Sequence, residues 1–128
     1  MKKIFLLTVT LFFLTALQAQ DKYTPAQFPG GDSAWNQYIS SAFIKQHMVN
    51  QMTKKDIERF GKTQRVVYTF AILADSTIGL INIEGVASQA VRSEIHRVLK
   101  NSPKWTPATI NSQPTIYRKK QISTFTFD

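Results

Sequence analysis

The segment from Arg65 to Glu84 contains two β-branched, apolar runs separated by a short polar break. Alternate residues of the first run are apolar or aromatic: Val66, Tyr68, Phe70 and Ile72. This period of two predicts a strand with one buried face. Within the break, Asp75 can hydrogen-bond to the backbone of its own turn. The segment therefore predicts a β-hairpin, and because an isolated hairpin is only marginally stable in water, the remaining chain must cover its apolar face.

Residues 1–19 have the pattern of a secretory signal peptide. Two lysines precede the apolar run Ile4–Leu17, which is shorter than the roughly 20 residues that a transmembrane helix needs. Ala19 is a small residue of the kind found before a cleavage site. We therefore expect cleavage after Ala19 and export of a single domain, residues 20–128, to the periplasm. A retained membrane anchor is the alternative that this pattern leaves open.

The chain has a formal net charge of +8 and no cysteine. Removal of the signal peptide with its two lysines leaves +6, a surface that favours anionic partners. Export argues against nucleic acid as the partner and leaves acidic protein surfaces, lipid headgroups and cell-wall polymers. Neither disulfides nor thiolate zinc sites can form. A chain of this length can nevertheless bury an apolar core without such crosslinks.

Two segments before the hairpin have helical features. A cap at Asp32 or Ser33 begins the first helix, which we expect to end near His47. Its apolar stripe has the spacing i, i+4, i+7 and i+8: Trp35, Ile39, Ala42 and Phe43. The second segment, Thr53–Gly61, has a cap-like start and a terminal glycine. It fits either a short helix or an irregular loop.

An amphipathic helix is predicted after the hairpin, between a cap at Ser88 and a stop at Pro103. Its apolar positions repeat the spacing of the first helix: Val91, Ile95, Val98 and Leu99. Polar and charged residues are predicted to fill its wetter side: Arg92, Glu94, His96 and Arg97. An extended crossing, Lys104–Ala108, follows with Trp105 as a large apolar plug, and Asn111–Pro114 predicts a turn.

The last strand is predicted to run from about Thr115 to Phe127. Its alternation is imperfect, because Ile116 and Ile122 have one parity and the aromatic residues the other. A β-bulge in the polar block Arg118–Gln121 would reconcile the two halves. The order helix, strand, strand, helix, strand predicts an α+β fold. We expect a two-layer sandwich in which a three-stranded antiparallel sheet carries two helices on one face.

Four short motifs between residues 61 and 127 occur in the order and spacing of a known family. They are a glycine before an alternating strand, a polar hairpin tip, a helix leading into a Trp-x-Pro-Ala crossing, and a closing Phe-x-Phe: Gly61 with Val66–Ile72, Asp75–Ile78, Val98–Ala108, and Phe125–Phe127. With these motifs the chain resembles the C-terminal domain of TonB, the energy transducer of Gram-negative envelopes. The stretch Phe28–Gly31 is similar to one found in many standalone members.

The resemblance implies that an extended peptide is gripped by strand addition beside the last strand. The implied partner is an outer-membrane receptor or another envelope protein. The implied partner-binding residues lie along the edge of that strand: Arg118, Lys120, Ile122, Thr124 and Thr126. Ser76 replaces the glycine of the family's hairpin tip, at a strain of about 1 kcal/mol if its backbone is left-handed. The sequence shows no proline-rich spacer, so we expect a binding role rather than force transduction.

No catalytic or metal-binding arrangement is predicted. His47 and His96 lie far apart and lack carboxylates at metal-ligand spacing, so we expect neither a metal site nor a cofactor. Two carboxylate pairs could serve as acid and base, although solvated surface charge is the preferred interpretation: Asp56 with Glu58, and Glu84 with Glu94. We therefore expect a protein without enzymatic activity.

The basic block Arg118–Lys120, together with Lys100 and Lys104, supports a second hypothesis. Such a basic surface could bind peptidoglycan or anionic lipid, at least weakly. Lysine on a sheet edge also discourages edge-to-edge aggregation, which is a purely structural interpretation of the same residues. Formation of a homodimer through strand exchange stays open.

Overall fold

The computed structural model describes residues 20–128, so the predicted signal peptide lies outside the described residues. Within this range the fold is α+β, with four helices and two three-stranded antiparallel sheets. The helices are α1 Gly31–Ala42, α2 Lys45–Gln51, α3 Lys54–Phe60 and α4 Gln89–Lys100. The strands are β1 Tyr23–Thr24, β2 Thr63–Ile72, β3 Ile78–Glu84, β4 Ala108–Ile110, β5 Gln113–Thr115 and β6 Tyr117–Thr126.

The predicted hairpin is confirmed as β2 and β3, and it forms part of a sheet with the order β3-β2-β6. At its tip the Asp75 carboxylate accepts a hydrogen bond from the Thr77 backbone N–H at 3.1 Å. Ser76 has φ 77°, so the condition for backbone strain is met, with a left-handed conformation at a residue other than glycine. The Ser76 carbonyl accepts a hydrogen bond from the Trp105 N–H at 3.2 Å, which ties the crossing segment to the hairpin tip.

The last strand does not contain the bulge that would have reconciled its two halves. Ten consecutive residues of β6 pair with β2 without a register shift, from Tyr117 to Thr126. The polar inward positions of β6 are accommodated because they have hydrogen-bonding partners. Gln121 accepts from the Trp35 indole N–H at 3.1 Å, and the Ser123 hydroxyl lies 2.8 Å from the Tyr68 hydroxyl. Side chains therefore alternate along β6 without a bulge, although the inward side is not uniformly apolar.

The first helix is shorter than predicted. It is preceded by Gly30, rather than capped by a side chain, and α1 ends at Ala42 instead of continuing towards His47. Phe43 and Ile44 are extended, and α2 begins afresh at Lys45. The segment Thr53–Gly61, which fits either a short helix or a loop by sequence, is helical. It forms α3, which has a complete capping box. The helix predicted after the hairpin is confirmed as α4, with the Ser88 hydroxyl accepting from the Val91 N–H.

A second small sheet, with the order β1-β4-β5, was not predicted. Its β4–β5 turn is made by Asn111 and Ser112, which have φ 50° and 67°. The predicted last strand therefore begins two residues later than expected, at Tyr117, because Gln113–Thr115 belongs to this other sheet. The structure thus has more helices and strands than the three-stranded, two-helix arrangement that the sequence predicted.

The core joins α1, α4, β2 and the crossing segment. Its largest buried side chains include Trp35 from α1, Phe70 from β2 and Ile95 from α4. Trp105 is the buried plug that the sequence predicted, and its ring centroid lies 4.9 Å from that of Trp35. None of the four helices between residues 20 and 128 has the length and apolarity to cross a bilayer.

Candidate functional site

Strand β6 lies at an edge of the larger sheet. One side of it pairs with β2, and no other strand of residues 20–128 pairs with the opposite side. All five predicted partner-binding residues lie in β6 with exposed side chains: Arg118, Lys120, Ile122, Thr124 and Thr126. The structure thus places the predicted residues together on one side of an edge strand.

The register fixes which backbone groups of β6 point outward. Phe127 lies opposite Lys62 in the continued register, and its N–H donates to the Lys62 carbonyl at 2.6 Å. Residues of an antiparallel pair alternate between pointing both backbone groups at the partner strand and pointing both away. Odd-numbered residues of β6 therefore bond to β2, whereas the five even-numbered residues direct their N–H and C=O groups to the open edge.

Strand β3 is the opposite edge of the same sheet and differs in two ways. It has seven residues rather than ten. Its register with β2 shifts between Thr69 and Ala71, where Leu80 has φ 50°. A bulge disrupts regular pairing and protects an edge from addition of another strand. Of the two edges, β6 therefore offers the longer and more regular row of backbone groups.

A groove runs beside the C-terminal half of β6, and we call it the β6 groove. It consists of three neighbouring cavities with volumes of about 370, 180 and 290 Å³. The first two share Phe43, Thr124 and Phe125, and the last two share Phe127. Its far wall comes from α1, α2, α3 and their junctions: Ile39, Ser40, Phe43, Lys45, Met48, Val49, Met52, Thr53, Lys54 and Ile57.

The sequence pattern predicts no part of this wall as a binding surface. Phe43 and Lys45 fall within the predicted first helix, and Met48 lies just beyond its expected end near His47, so the pattern predicts no binding role for these residues. A signal was nevertheless present, since apolar residues recur in a segment without a regular amphipathic pattern: Phe43, Ile44, Met48, Val49, Met52 and Ile57. Several of them are at least half-buried, but Ile44 and Val49 are each 43% exposed.

An ion pair on α4 shapes the break between α1 and α2. Glu94 accepts a hydrogen bond from the Ile44 N–H at 2.7 Å, and Arg97 donates to the Ala42 carbonyl at 2.9 Å. The two side chains also bond to each other at 2.5 Å. Carbonyls at the end of one helix and N–H groups at the start of the next lack intrahelical partners. Glu94 and Arg97 provide them, which stabilises the extended residues between the two helices.

Glu94 is buried, contrary to the prediction that it lies on the wetter side of its helix. Only 3% of its surface is exposed. Burial raises the pKa of its carboxyl, but hydrogen bonds from Arg97, the Ile44 N–H and His47, with the charge of Arg97, outweigh burial and hold the pKa below its ordinary value. His47 Nδ1 lies 3.2 Å from this carboxylate. Glu94 is therefore ionised at neutral pH and serves as an anchor for the start of α2.

The carboxylates considered as acid/base pairs have separate partners. Glu84, at the end of β3, lies 3.7 Å from the Lys120 Nζ, whereas Glu94 bonds to Arg97. Asp56 accepts a hydrogen bond from the Thr53 N–H in the capping box of α3. In the part of the chain that the structure describes, no three histidine, aspartate or glutamate side chains cluster as potential metal ligands.

The basic block of β6 does not form one patch. Arg118 and Lys120 are exposed on one side of the strand, while Lys119 points to the other, as successive residues of a strand do. Lys120 is already close to Glu84. Lys100 and Lys104 lie at the end of α4 and in the crossing segment, outside the three cavities of the β6 groove.

No family model matches the chain. No curated protein matches its sequence either. A functional interpretation therefore depends on the edge of β6, on the groove beside it and on the motifs of residues 61–127.

Proposed function

We propose that this protein is a non-enzymatic binding protein of the periplasm that takes up an extended segment of another protein as an additional strand beside β6. The partner is an outer-membrane receptor or another envelope protein, as the resemblance to the TonB C-terminal domain implies. The two-layer arrangement of that family is part of this proposal, with the smaller sheet and helices α2 and α3 as additions. A link to TonB-dependent transport is proposed on the same basis.

One observation carries the proposal: β6 is a ten-residue edge strand of continuous register whose five even-numbered residues direct backbone groups outward. A peptide laid along this edge can exchange hydrogen bonds with each of those residues. Each such bond contributes a net stabilisation of about 1 kcal/mol. The entropy lost on ordering the peptide opposes that gain, so contacts from the adjacent groove are needed for useful affinity.

The test is a titration of isotope-labelled protein with peptides from the N-terminal segments of outer-membrane receptors, followed by backbone amide shifts. Strand addition predicts that the largest shifts lie in β6, within Tyr117–Thr126. Shifts that concentrate on α1 and α4 and spare β6 would contradict the proposal.

Thr124→Pro is the sharpest variant for this test. It removes an outward N–H but no hydrogen bond to β2, and proline is tolerated at such edge positions. We expect the variant to fold and to bind the peptides about fivefold more weakly, because the loss of one hydrogen bond removes about 1 kcal/mol. Thr124→Val is the matched control, because it keeps the N–H and a β-branched side chain, and it should bind like the unmodified protein.

Binding to peptidoglycan or anionic lipid is the alternative, and the net positive charge of the chain favours it. The dependence of binding on ionic strength distinguishes polymer binding from strand addition. Charge-driven polymer binding should be lost between low and moderate ionic strength because exposed charges are screened beyond about 10 Å at 0.1 M salt. Strand addition should persist, since hydrogen bonds and apolar contacts supply most of its affinity.

A further inference from the structure

We propose that the β6 groove selects an extended peptide with apolar side chains at alternate positions and with carboxylates at the end that lies near Phe127. This inference depends on the proposed strand addition, because it concerns the side-chain contacts that an added strand would make. It assigns the wall formed by α1, α2 and α3 as the surface that determines specificity.

The apolar preference follows from the position of the wall. An added strand lies about 4.8 Å from β6 and directs every second side chain to the side occupied by the helices. On that side lie the three cavities, whose linings include Ile39 and Phe43 in the first, Met48 in the second and Val49 in the third. Val49 is exposed in the free protein, so an apolar partner side chain would remove it from water.

Two methionines make this wall adaptable. Met48 contributes to the second cavity and Met52 to the third. Methionine has a flexible, polarisable side chain that fills irregular spaces and recurs at surfaces that accept several partners. We therefore expect the groove to accept valine, isoleucine or leucine at the inward positions rather than one residue type alone.

The acidic preference follows from the charges along the groove. Three exposed lysines line the second and third cavities: Lys45, Lys54 and Lys62. Asp128 is the single acidic side chain among the lining residues. None of the three lysines has an ion-pair partner within residues 20–128. Carboxylates of a bound peptide would meet this unbalanced charge beside Phe127, whereas Lys120, farther along β6, already lies close to Glu84.

The experiment compares two capped peptides of equal length, Asp-Asp-Val-Thr-Val-Thr-Val-Asp-Asp and Lys-Lys-Val-Thr-Val-Thr-Val-Lys-Lys, titrated against the protein by calorimetry and amide shifts. We expect the aspartate peptide to bind at least about tenfold more tightly at low salt. In the double variant Lys45→Glu, Lys54→Glu this preference should disappear or reverse. The matched control is Lys100→Glu, Lys104→Glu, which changes the net charge equally but lies outside the groove.

Each outcome bears on one part of the account. Loss of the preference only in the groove variant supports the inference. Equal binding of both peptides at β6, or equal losses in the two double variants, would overturn the selective role of the groove while leaving strand addition intact. Amide shifts that miss β6 for both peptides would instead overturn the proposed function itself.

Discussion

At the scale of single residues, Glu94 is the residue whose structural role differs most from the role that its sequence position suggests. It lies on an amphipathic helix among other charged residues, yet it is buried and bonds to a backbone N–H, an arginine and a histidine. Removing one partner of a buried ion pair leaves the other without compensation. The wall of the β6 groove therefore depends on a carboxylate that lines none of its three cavities.

Glu94→Gln should lower the free energy of unfolding by about 2 kcal/mol at neutral pH, because charge-assisted hydrogen bonds are lost. The pKa of Glu94 is lowered in the folded protein. Its contribution is therefore present above the ordinary pKa of 4.5 and is lost as the pH falls through the folded value. Urea denaturation at neutral pH and at about pH 3.5 measures both effects, and the difference between the two proteins should shrink in acid.

The exposed Glu84→Gln provides the control for this comparison. Its partner Lys120 is also exposed, and surface ion pairs contribute about 0–1 kcal/mol. We expect little change at either pH. A loss in Glu94→Gln that is equally large at both pH values would contradict the role of the charged carboxylate.

At the scale of secondary-structure elements, the sequence predicted those elements whose conformation is determined by residues close to them in the chain. The hairpin and α4 follow from period-two and period-3.6 patterns with turn and cap residues beside them. The break after Ala42 could not be predicted, because the hydrogen bonds of Glu94 and Arg97 that stabilise it span 50 and 55 residues of sequence. Likewise, Gln121 looked like a reason for a bulge until Trp35, 86 residues away, proved to be its partner.

The candidate site likewise has a part that local sequence predicts and a part that depends on contacts between distant residues. The five β6 residues were predicted from a motif resemblance, and they share one edge. The groove wall was missed because it depends on how α1 and α2 are angled against β6. Phe43, between α1 and α2, contributes to this packing. Its ring lies edge-on to the ring of Phe125 in β6, with the two centroids 4.9 Å apart.

Phe43→Ala tests this element-level account. The aromatic contact and part of the groove wall are lost, so we expect destabilisation of about 1–2 kcal/mol and weaker peptide binding. Ile44→Ala is the control, since its side chain is more exposed and lines none of the three cavities. Thermal denaturation and peptide titration check both variants, and unchanged affinity in Phe43→Ala would contradict a role for the wall.

At the scale of the whole molecule, an open edge strand must bind its partner without binding further copies of itself. Long regular edges promote aggregation unless charge or irregularity blocks it. The β3 edge has a bulge. The β6 edge has none, but it carries Arg118 and Lys120 on its exposed side. Positive charge therefore protects the edge that stays regular, and this is also the edge proposed to accept a partner.

Replacing both protecting charges, Arg118→Val with Lys120→Val, should increase self-association. Sedimentation velocity over a range of protein concentrations measures the change. The control pair Lys100→Val, Lys104→Val removes the same charge away from the edge and should leave the association state unchanged. A variant pair at β6 that associates no more than this control would show that the edge is protected by other means.

Native-state hydrogen exchange of the amides of β6, measured by NMR with and without a bound peptide, tests the central claim most directly. In the free protein we expect fast exchange at the even-numbered residues from Arg118 to Thr126 and slow exchange at the odd-numbered residues between them, which donate to β2. Bound peptide should protect the even-numbered amides selectively. Slow exchange at every β6 amide of the free monomer would mean that the edge is already covered, and strand addition at β6 would be excluded.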